Sequence, residues 1–369
     1  MQLPLPALLV LLLALAVYRH LYTMGDVPLS IALQEWRAEG EYLLVDDRDG
    51  GVHSLFVRVA GEERLREGLH GDVGSILLCL HGFPTSSFDF REALDVLAAR
   101  GEEGEEVDDI VVTFDFLGFG FSDKPRFANY SIALQADFAE QVLAQVIMRN
   151  ELDAKWDVHI LSHDYGNPVA QEILARRKTD VQMGHESRTG LWRNLRTVAF
   201  TNGSLLGKLH RPLLIQRLLL NAFTGPIVSQ LTSFTLFSRN MVKIFSPEHQ
   251  PTTEQLEEWW SLIRKGGGAT MFDRLIHYMR DRETEDERWI DAVLHPTTEL
   301  DTRPAVVVGL LNGLLDPVSG AHVVAALEDA GFQGPIERFP SLGHYPMVED
   351  ASAFVDGYLS LRETMEWQL

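Results

Sequence analysis

Residues 160–168 of the chain read ILSHDYGNP, and this stretch ends an apolar run and begins a segment of helical spacing. A strand that turns sharply into a helix needs small residues two positions before and two after the apex, because larger side chains would collide. With Asp164 at the apex, those positions hold Ser162 and Gly166. With Ser162 at the apex, they hold the bulky Ile160 and the charged Asp164. The sterics therefore predict that Asp164 is the exposed residue of the turn.

Short apolar runs alternate with segments of helical period on both sides of this turn. The runs predict buried strands at Ser75–Leu80, Ile110–Asp115, Val158–Ser162, Thr197–Thr201, Ala305–Leu311 and Ile336–Phe339. The segments between them predict helices over Ser86–Arg100, Ser131–Asn150 and Pro168–Arg177. This alternation favours the α/β class, with a mostly parallel, doubly wound sheet that helices cover on both faces. A hairpin of Glu41–Val45 and Gly51–Val59 leads into the sheet.

The alternation stops after Gly203, and the apolar spacing is helical from residue 205 to residue 302. Because strand pattern resumes at Arg303, we predict a core of residues 27–204 and 303–369, with a helical lid of residues 205–302 inserted between two late strands. Such an insertion lies over the carboxyl ends of the strands, where open α/β sheets bind ligands. A helical bundle remote from the site is the alternative.

Two later segments supply an acid and a base in chain order. Asp316 and His344 each follow a predicted strand. A carboxylate at Asp164 can displace a leaving group from a saturated carbon and form a covalent ester, which water activated by His344 and oriented by Asp316 would hydrolyse. The backbone N–H groups of Phe83 and Tyr165 are the predicted oxyanion hole.

The composition excludes several classes of partner and cofactor. The chain has 32 basic and 53 acidic residues, a net charge of −21, so a nucleic-acid partner is not expected. Its single cysteine, Cys79, cannot form an internal disulfide or a cysteine-based zinc site alone. The glycines of residues 115–122 are interpreted as turn residues, because no helix opens directly behind them as a dinucleotide site requires. We therefore expect neither a metal nor a cofactor.

The amino terminus differs from the rest of the chain. Residues from Leu3 to Tyr18 are apolar, with no Lys or Arg before them and Arg19 after them. This charge pattern favours an uncleaved membrane anchor over residues 1–22 with a cytosolic rather than lumenal body. A cleaved signal peptide and an apolar helix docked on the domain are the alternatives. The sequon at Asn202, like a second one in the chain, matters only if the body is lumenal.

Several motifs resemble those of the α/β-hydrolase superfamily, in the branch of epoxide hydrolases and haloalkane dehalogenases. They are HGFPTSS at 81–87, DFLGFGFSDKP at 115–125 and LSHDYG at 161–166. More narrowly, the chain resembles the mesoderm-specific transcript protein family, through matches such as HRPLL at 210–214 and GHYP at 343–346. The resemblance implies an α/β-hydrolase fold, a hydrolase activity and a place in the endoplasmic reticulum membrane.

The departures from this branch concern the residues around the substrate. Haloalkane dehalogenases usually carry a tryptophan after the nucleophile, where this chain has Tyr165. Epoxide hydrolases commonly use two lid tyrosines as proton donors, and Tyr278 is the only tyrosine of the predicted lid. We therefore predict Tyr278 as a substrate-binding proton donor and Trp259 and Trp260 as residues that line a pocket for a small lipophilic substrate. Packing within the lid is the alternative for all three.

The sequence thus favours an epoxide-hydrolase-like enzyme with an aspartate nucleophile. An ester or lipid hydrolase, whose carboxylate acts as a base or forms an anhydride, is the second interpretation. A catalytically silent, membrane-associated protein that handles lipid or serves as a scaffold is the third.

Overall fold

The structure is a computed structural model that describes residues 28–62, 74–102, 110–152, 156–183, 190–203, 205–207, 214–296 and 305–369, with a few isolated positions before residue 18. The strands are β1 Glu41–Asp46, β2 Val52–Ala60, β3 Ser75–Leu80, β4 Ile110–Phe114, β5 Asp157–His163, β6 Leu195–Thr201, β7 Val307–Gly313 and β8 Ile336–Phe339. The helices are α1 Ile31–Ala38, α2 Arg91–Glu102, α3 Ile132–Arg149, α4 Gly166–Met183, α5 Leu214–Leu220, α6 Gly225–Leu231, α7 Phe234–Met241, α8 Thr253–Arg264, α9 Phe272–Leu275, α10 Tyr278–Leu294, α11 Ala321–Asp329, α12 Pro346–Glu349 and α13 Ala351–Glu366. Short 3-10 turns span Ser87–Phe90, Leu191–Asn194 and Lys265–Thr270.

The eight strands form one sheet in the order β1-β2-β4-β3-β5-β6-β7-β8. The strand β2 runs antiparallel to both β1 and β4, and the other neighbours pair in parallel. Parallel pairs need crossover connections, which the helices between them provide. This is the mostly parallel α/β-hydrolase architecture that the sequence predicted, with the antiparallel hairpin at one edge.

The parallel strands β3 to β7 are almost wholly buried, as expected for a sheet covered on both faces, whereas the edge strand β8 is partly exposed. Every residue of β4 and β7 is buried. The covering helices turn an apolar face to the sheet; in α3 that face includes Leu134, Phe138 and Val142. The hydroxyl of Ser131 accepts a hydrogen bond from the N–H of Leu134 and so caps the start of α3, an interaction that stabilises a helix by about 1 kcal/mol.

The regular elements among the described residues between β6 and β7 are all helices, with one 3-10 turn, and irregular segments connect them. The helix α8 begins at a capping box in which Thr252 and Gln255 exchange hydrogen bonds between side chain and backbone. The helices α5 to α10 lie after β6 and before β7, where the sequence places the lid. The proposed lid boundaries at 205 and 302 remain a prediction, because residues 208–213 and 297–304 lie outside the described residues.

No helix within the described part of the chain has the length and apolar character to cross a membrane. The predicted anchor at residues 1–22 lies almost wholly outside that part.

Candidate active site

Asp164 lies at the apex of the turn from β5 to α4, and its φ angle is +45°. Positive φ is uncommon for a residue other than glycine and is maintained only where the surroundings hold it. Here the N–H of Asp164 donates a hydrogen bond of 2.9 Å to the carbonyl oxygen of Asn202. A Cβ atom at Gly166 would collide with the carbonyl oxygen of Leu80. The turn therefore needs a glycine at this position, because α4 begins against the end of the neighbouring strand β3.

The structure brings Asp164, Asp316 and His344 together at the carboxyl edge of the sheet. The Nδ1 atom of His344 lies 2.7 Å from Oδ2 of Asp316, and its Nε2 atom lies 3.7 Å from Oδ2 of Asp164. All three side chains are buried. The short bond fixes a proton on Nδ1, so the other ring nitrogen, Nε2, faces the apical carboxylate.

The two carboxylates determine the charge of the imidazole. Burial by itself lowers the pKa of His344, but the charge and hydrogen bond of Asp316 and the charge of Asp164 raise it to about 9. Burial by itself raises the pKa of Asp316, but the charge of His344 and the hydrogen bonds to the carboxylate lower it to about 2. His344 and Asp316 therefore form an ion pair at neutral pH.

The two oxygens of Asp164 have different surroundings. The N–H of Phe83 donates a hydrogen bond of 3.0 Å to Oδ1, whereas Oδ2 faces His344. An oxyanion hole binds the oxygen on which negative charge develops. Here the predicted donor Phe83 already contacts an oxygen of the aspartate itself, which leaves Oδ2 as the oxygen that can attack. The role of the Tyr165 N–H stays a prediction; its ring is buried against Phe116 and Phe119.

Asn202, which the sequence suggested only as a sequon, connects Asp164 to Asp316. Its side-chain N–H donates to Oδ2 of Asp316 at 3.0 Å, and its Oδ1 accepts from the N–H of Gly313 at 2.7 Å. Its carbonyl oxygen accepts the bond from Asp164 described above. Asn202 is buried. The available signal was a polar amide at the carboxyl end of a predicted strand, where side chains of the site collect.

Glu349 holds the loop that carries His344, and sequence reasoning also missed it. Its carboxylate accepts hydrogen bonds from the N–H groups of Gly343 at 2.8 Å and Tyr345 at 3.1 Å, on the two sides of the histidine. It also accepts one of 3.0 Å from the N–H of Ser246, in the segment after α7. One buried side chain therefore attaches the histidine loop to the lid region.

The histidine nearest to the Phe83 turn has a structural role. The ring of His81 contacts the carbonyl oxygen of Gly82 at 2.8 Å through Nδ1 and accepts the N–H of Phe116 at 3.0 Å through Nε2. Burial lowers the pKa of His81 to about 4, so the ring is neutral at pH 7. It fixes the loop and offers no free nitrogen to a substrate.

A cavity of about 130 Å³ lies between the catalytic edge of the sheet and the lid helices. Its lining includes Asp164, His344, Phe83 and Tyr278, together with Ile215, Leu219, Leu236, Phe237, Met241 and Phe272 from the lid. The ring of Tyr278 lies 5.0 Å from that of Tyr165 and 6.0 Å from that of Phe83, measured between centroids. Most of the wall is apolar, so the cavity suits a lipophilic group.

Trp259 and Trp260 were predicted to line the substrate pocket, but the structure does not bring them to this cavity. Trp259 is buried and stacks on Tyr345 at 5.8 Å between ring centroids. Trp260 stacks on Phe237 at 5.6 Å. Trp260 packs within the lid and Trp259 packs against the histidine loop, so the alternative interpretation as packing residues fits both better. Tyr278 does reach the cavity.

The described residues contain no group of three or more His, Cys, Asp or Glu side chains that could hold a metal ion.

The sequence was compared with protein families and with known proteins. Residues 77–356 match the alpha/beta hydrolase family. The human mesoderm-specific transcript homolog protein is 31% identical over 361 residues, which cover 94% of this chain and 91% of the human protein. A Mycobacterium tuberculosis protein that is named as a hydrolase, LipZ, is 33% identical over 334 residues, which cover 90% of this chain and 98% of that protein.

Among solved structures, a loop variant of a haloalkane dehalogenase from Bradyrhizobium elkanii aligns with a TM-score of 0.62 at 14% identity. The alignment covers 89% of this chain and 99% of the dehalogenase. At this level of identity the likeness concerns the fold alone.

Proposed function

The chain belongs to the alpha/beta hydrolase family and, within it, to the family of mesoderm-specific transcript proteins, and from this premise we propose that it is a hydrolase whose nucleophile is Asp164. The proposed substrate is a small lipophilic epoxide. The observation that carries the proposal is the pair of contacts at the apical carboxylate. One oxygen of Asp164 accepts the N–H of Phe83, and the other faces His344 and the cavity.

In the first step, Oδ2 of Asp164 attacks a ring carbon of the epoxide. A C–O bond forms between Oδ2 and that carbon while the ring C–O bond breaks, and Tyr278 gives its phenolic proton to the released oxygen. Burial and the charge of Asp164 raise the pKa of Tyr278, so its hydroxyl is protonated before the reaction. Its place in the cavity wall puts it beside the nucleophile.

The loss of the Asp164 charge prepares His344 for the second step. A negative charge nearby favours imidazolium, so esterification of Asp164 lowers the pKa of His344. The His344 imidazolium transfers its Nε2 proton to the phenolate of Tyr278, which becomes a phenol again. His344 is then a neutral base oriented by Asp316.

In the second step, His344 takes a proton from water, and the water oxygen attacks the ester carbon, Cγ of Asp164. Negative charge collects on Oδ1, where the N–H of Phe83 already donates a hydrogen bond. The tetrahedral intermediate collapses, the bond between Cγ and Oδ2 breaks, and the new hydroxyl on Cγ gives its proton to Oδ2. The product leaves as a diol, Asp164 is again a carboxylate and His344 is again an imidazolium. The sum is epoxide plus water giving diol, with every proton returned.

Direct hydrolysis of an ester substrate is the weaker candidate on this geometry. It would need the N–H of Phe83 for the carbonyl oxygen of the substrate. That donor is engaged with Asp164, which favours a route in which the acyl group is the enzyme's own carboxyl.

A single turnover in heavy-oxygen water tests the proposal. Excess enzyme is mixed with a lipophilic epoxide in H₂¹⁸O, and the peptide that contains Asp164 is weighed after digestion. We expect one heavy oxygen in the Asp164 carboxyl and none in the diol, because water attacks the enzyme ester. A His344→Gln variant should instead retain the substrate mass on this peptide, and Asp164→Asn serves as the unreactive control. Heavy oxygen in the product alone would refute the covalent route, and lack of turnover with all epoxides and esters would favour the silent-scaffold interpretation.

A further inference from the structure

The first half of the lid differs in charge from the rest of the chain. Residues 187–247 contain no Asp or Glu, although 53 of the 369 residues are acidic. From residue 205 onward, the charged residues of this stretch are all basic: Lys208, Arg211, Arg217, Arg239 and Lys243. Arg217, Arg239 and Lys243 lie in the described part, are exposed, and form no ion pair with a described carboxylate. This stretch therefore carries net positive charge in a protein whose net charge is −21.

The same region exposes large apolar side chains. Phe223 is 86% exposed, Leu214 73% and Ile227 61%, and Leu218 and Leu231 are also exposed. We name these five residues the lid surface. Leu214 and Leu218 are four residues apart and share one face of α5, as Ile227 and Leu231 do on α6. Exposed apolar side chains in a group, rather than scattered singly, mark an interaction site.

On α5 the lid surface and the cavity wall are opposite faces of one helix. On α5, Ile215 and Leu219 line the cavity while Leu214 and Leu218 face outward. Leu236 both lines the cavity and is 37% exposed, so it connects the two faces.

The inner face of α6 is fixed to the rest of the lid. The hydroxyl of Ser229 donates to the carboxylate of Asp273 at 2.9 Å and accepts the N–H of Asp273 at 2.8 Å. These bonds leave Ile227 and Leu231 on the outer side of α6. The hydrogen bonds of Ser229 therefore hold α6 in the orientation that exposes its two residues of the lid surface.

We propose that the lid surface docks on a bilayer that contains anionic phospholipid, with the cavity directed toward the lipid. Apolar side chains of interfacial helices enter the boundary between headgroups and acyl chains, and neighbouring basic residues contact anionic headgroups. The first half of the lid, which has no acidic residue up to position 247, is attracted to such a surface, whereas the acidic remainder of the protein is repelled, and the two effects fix one orientation. This inference concerns binding and does not rest on the proposed reaction.

Site-specific fluorescence on the full chain tests the proposal. Cys79 is the only cysteine and is buried, so a thiol-reactive environment-sensitive dye attaches selectively to an introduced cysteine. One variant is Phe223→Cys on the lid surface. The matched control is Met148→Cys, also exposed at 75%, in the last turn of α3. The helix α3 leads from the carboxyl end of β4 back toward the amino end of β5. Its last turn therefore lies by the amino ends of the parallel strands, opposite the lid.

Vesicles of phosphatidylcholine are compared with vesicles in which about one-third of the lipid is phosphatidylserine. With the anionic vesicles we expect the dye at position 223 to shift to shorter wavelength and gain about twofold in intensity, as it enters the interface. The dye at position 148 should not respond. A triple variant replaces the three exposed basic residues of this region: Arg217→Glu, Arg239→Glu and Lys243→Glu. It should need at least about tenfold more of the anionic vesicles, by concentration, for a half-maximal response.

The amino-terminal segment is the same in every variant, so membrane tethering by that segment alone would not distinguish the two dye positions. Equal responses at 223 and 148, or no response at 223, would overturn the proposal. A response at 223 that grows with protein concentration in the absence of vesicles would assign the lid surface to a second copy of the chain and would also overturn it.

Discussion

The Nε2 atom of His344 lies 3.7 Å from Oδ2 of Asp164, which is beyond direct hydrogen bonding but within reach of strong charge interaction. The imidazole is therefore bonded to Asp316 and only electrostatically linked to the proposed nucleophile. The proton affinity of His344 can change when the charge of Asp164 changes, although its position is held by Asp316.

The first prediction concerns the pKa of His344. In the free protein the surrounding carboxylates raise it to about 9. Asp164→Asn removes one negative charge at nearly constant shape, so we expect the pKa of His344 to fall toward its ordinary value of about 6.5. Proton NMR titration of the imidazole in both proteins measures the change. Identical titration curves would show that Asp164 does not act on the base.

The second prediction concerns stability against pH. Because the pKa of His344 is raised from 6.5 to about 9 on folding, its ion pair with Asp316 contributes fully below pH 6.5 and is lost as the pH rises through 9. The free energy of unfolding of the wild type should therefore decline across this window by on the order of 2 kcal/mol relative to His344→Gln. Denaturant unfolding of both proteins at several pH values provides the comparison. Parallel curves for the two proteins would contradict the ion pair.

At low pH the free energy of unfolding depends on pH in the opposite direction, because it falls as the pH falls. The pKa of Asp316 is lowered from 3.8 to about 2, so its contribution is present above pH 3.8 and is lost as the pH falls through 2.

The third prediction concerns Asn202. Asn202→Ala leaves Oδ2 of Asp316 with one donor fewer and the N–H of Gly313 without its partner in a buried site. We expect a loss of about 2 kcal/mol or more in the free energy of unfolding. The matched control is Asn129→Ala, since Asn129 also begins a sequon but is exposed, and it should change stability by less than about 0.5 kcal/mol. Equal effects of the two substitutions would be evidence against the described network.

The elbow could be predicted from the sequence because its constraint is local. The pattern that predicts it, small residues at 162 and 166 around Asp164, lies within two residues of the apex, although the atom that excludes a side chain at Gly166 is the carbonyl oxygen of Leu80 on β3. Asp316 and His344 could be predicted because strand ends in a parallel sheet meet at one edge, so order along the chain becomes proximity in space. In both cases a short-range pattern determined the long-range arrangement.

The misplaced and missed residues depend on contacts that the pattern of the sequence does not show. Helical spacing shows that Trp259 and Trp260 are buried, but the rings they contact, Tyr345 and Phe237, come from elsewhere in the chain. Glu349 acts on backbone N–H groups, which leave no mark in the sequence. Side-chain pattern alone therefore gives burial, whereas the choice between lid core and cavity wall follows from tertiary packing.

The fourth prediction separates a chemical role of Tyr278 from a packing role. Tyr278 lines the cavity beside Asp164, and burial together with the charge of Asp164 raises its pKa. Tyr278→Phe keeps the ring contacts with Phe83 and Tyr165 but removes the proton that the opening epoxide needs. We expect ester formation to slow by about 10²–10⁴-fold. Hydrolysis of the ester should keep its rate, because that step uses His344 and water. Rapid-quench mass spectrometry of the Asp164 peptide resolves the two steps. Equal slowing of both would mean that the hydroxyl supports the shape of the site and that another group protonates the leaving oxygen.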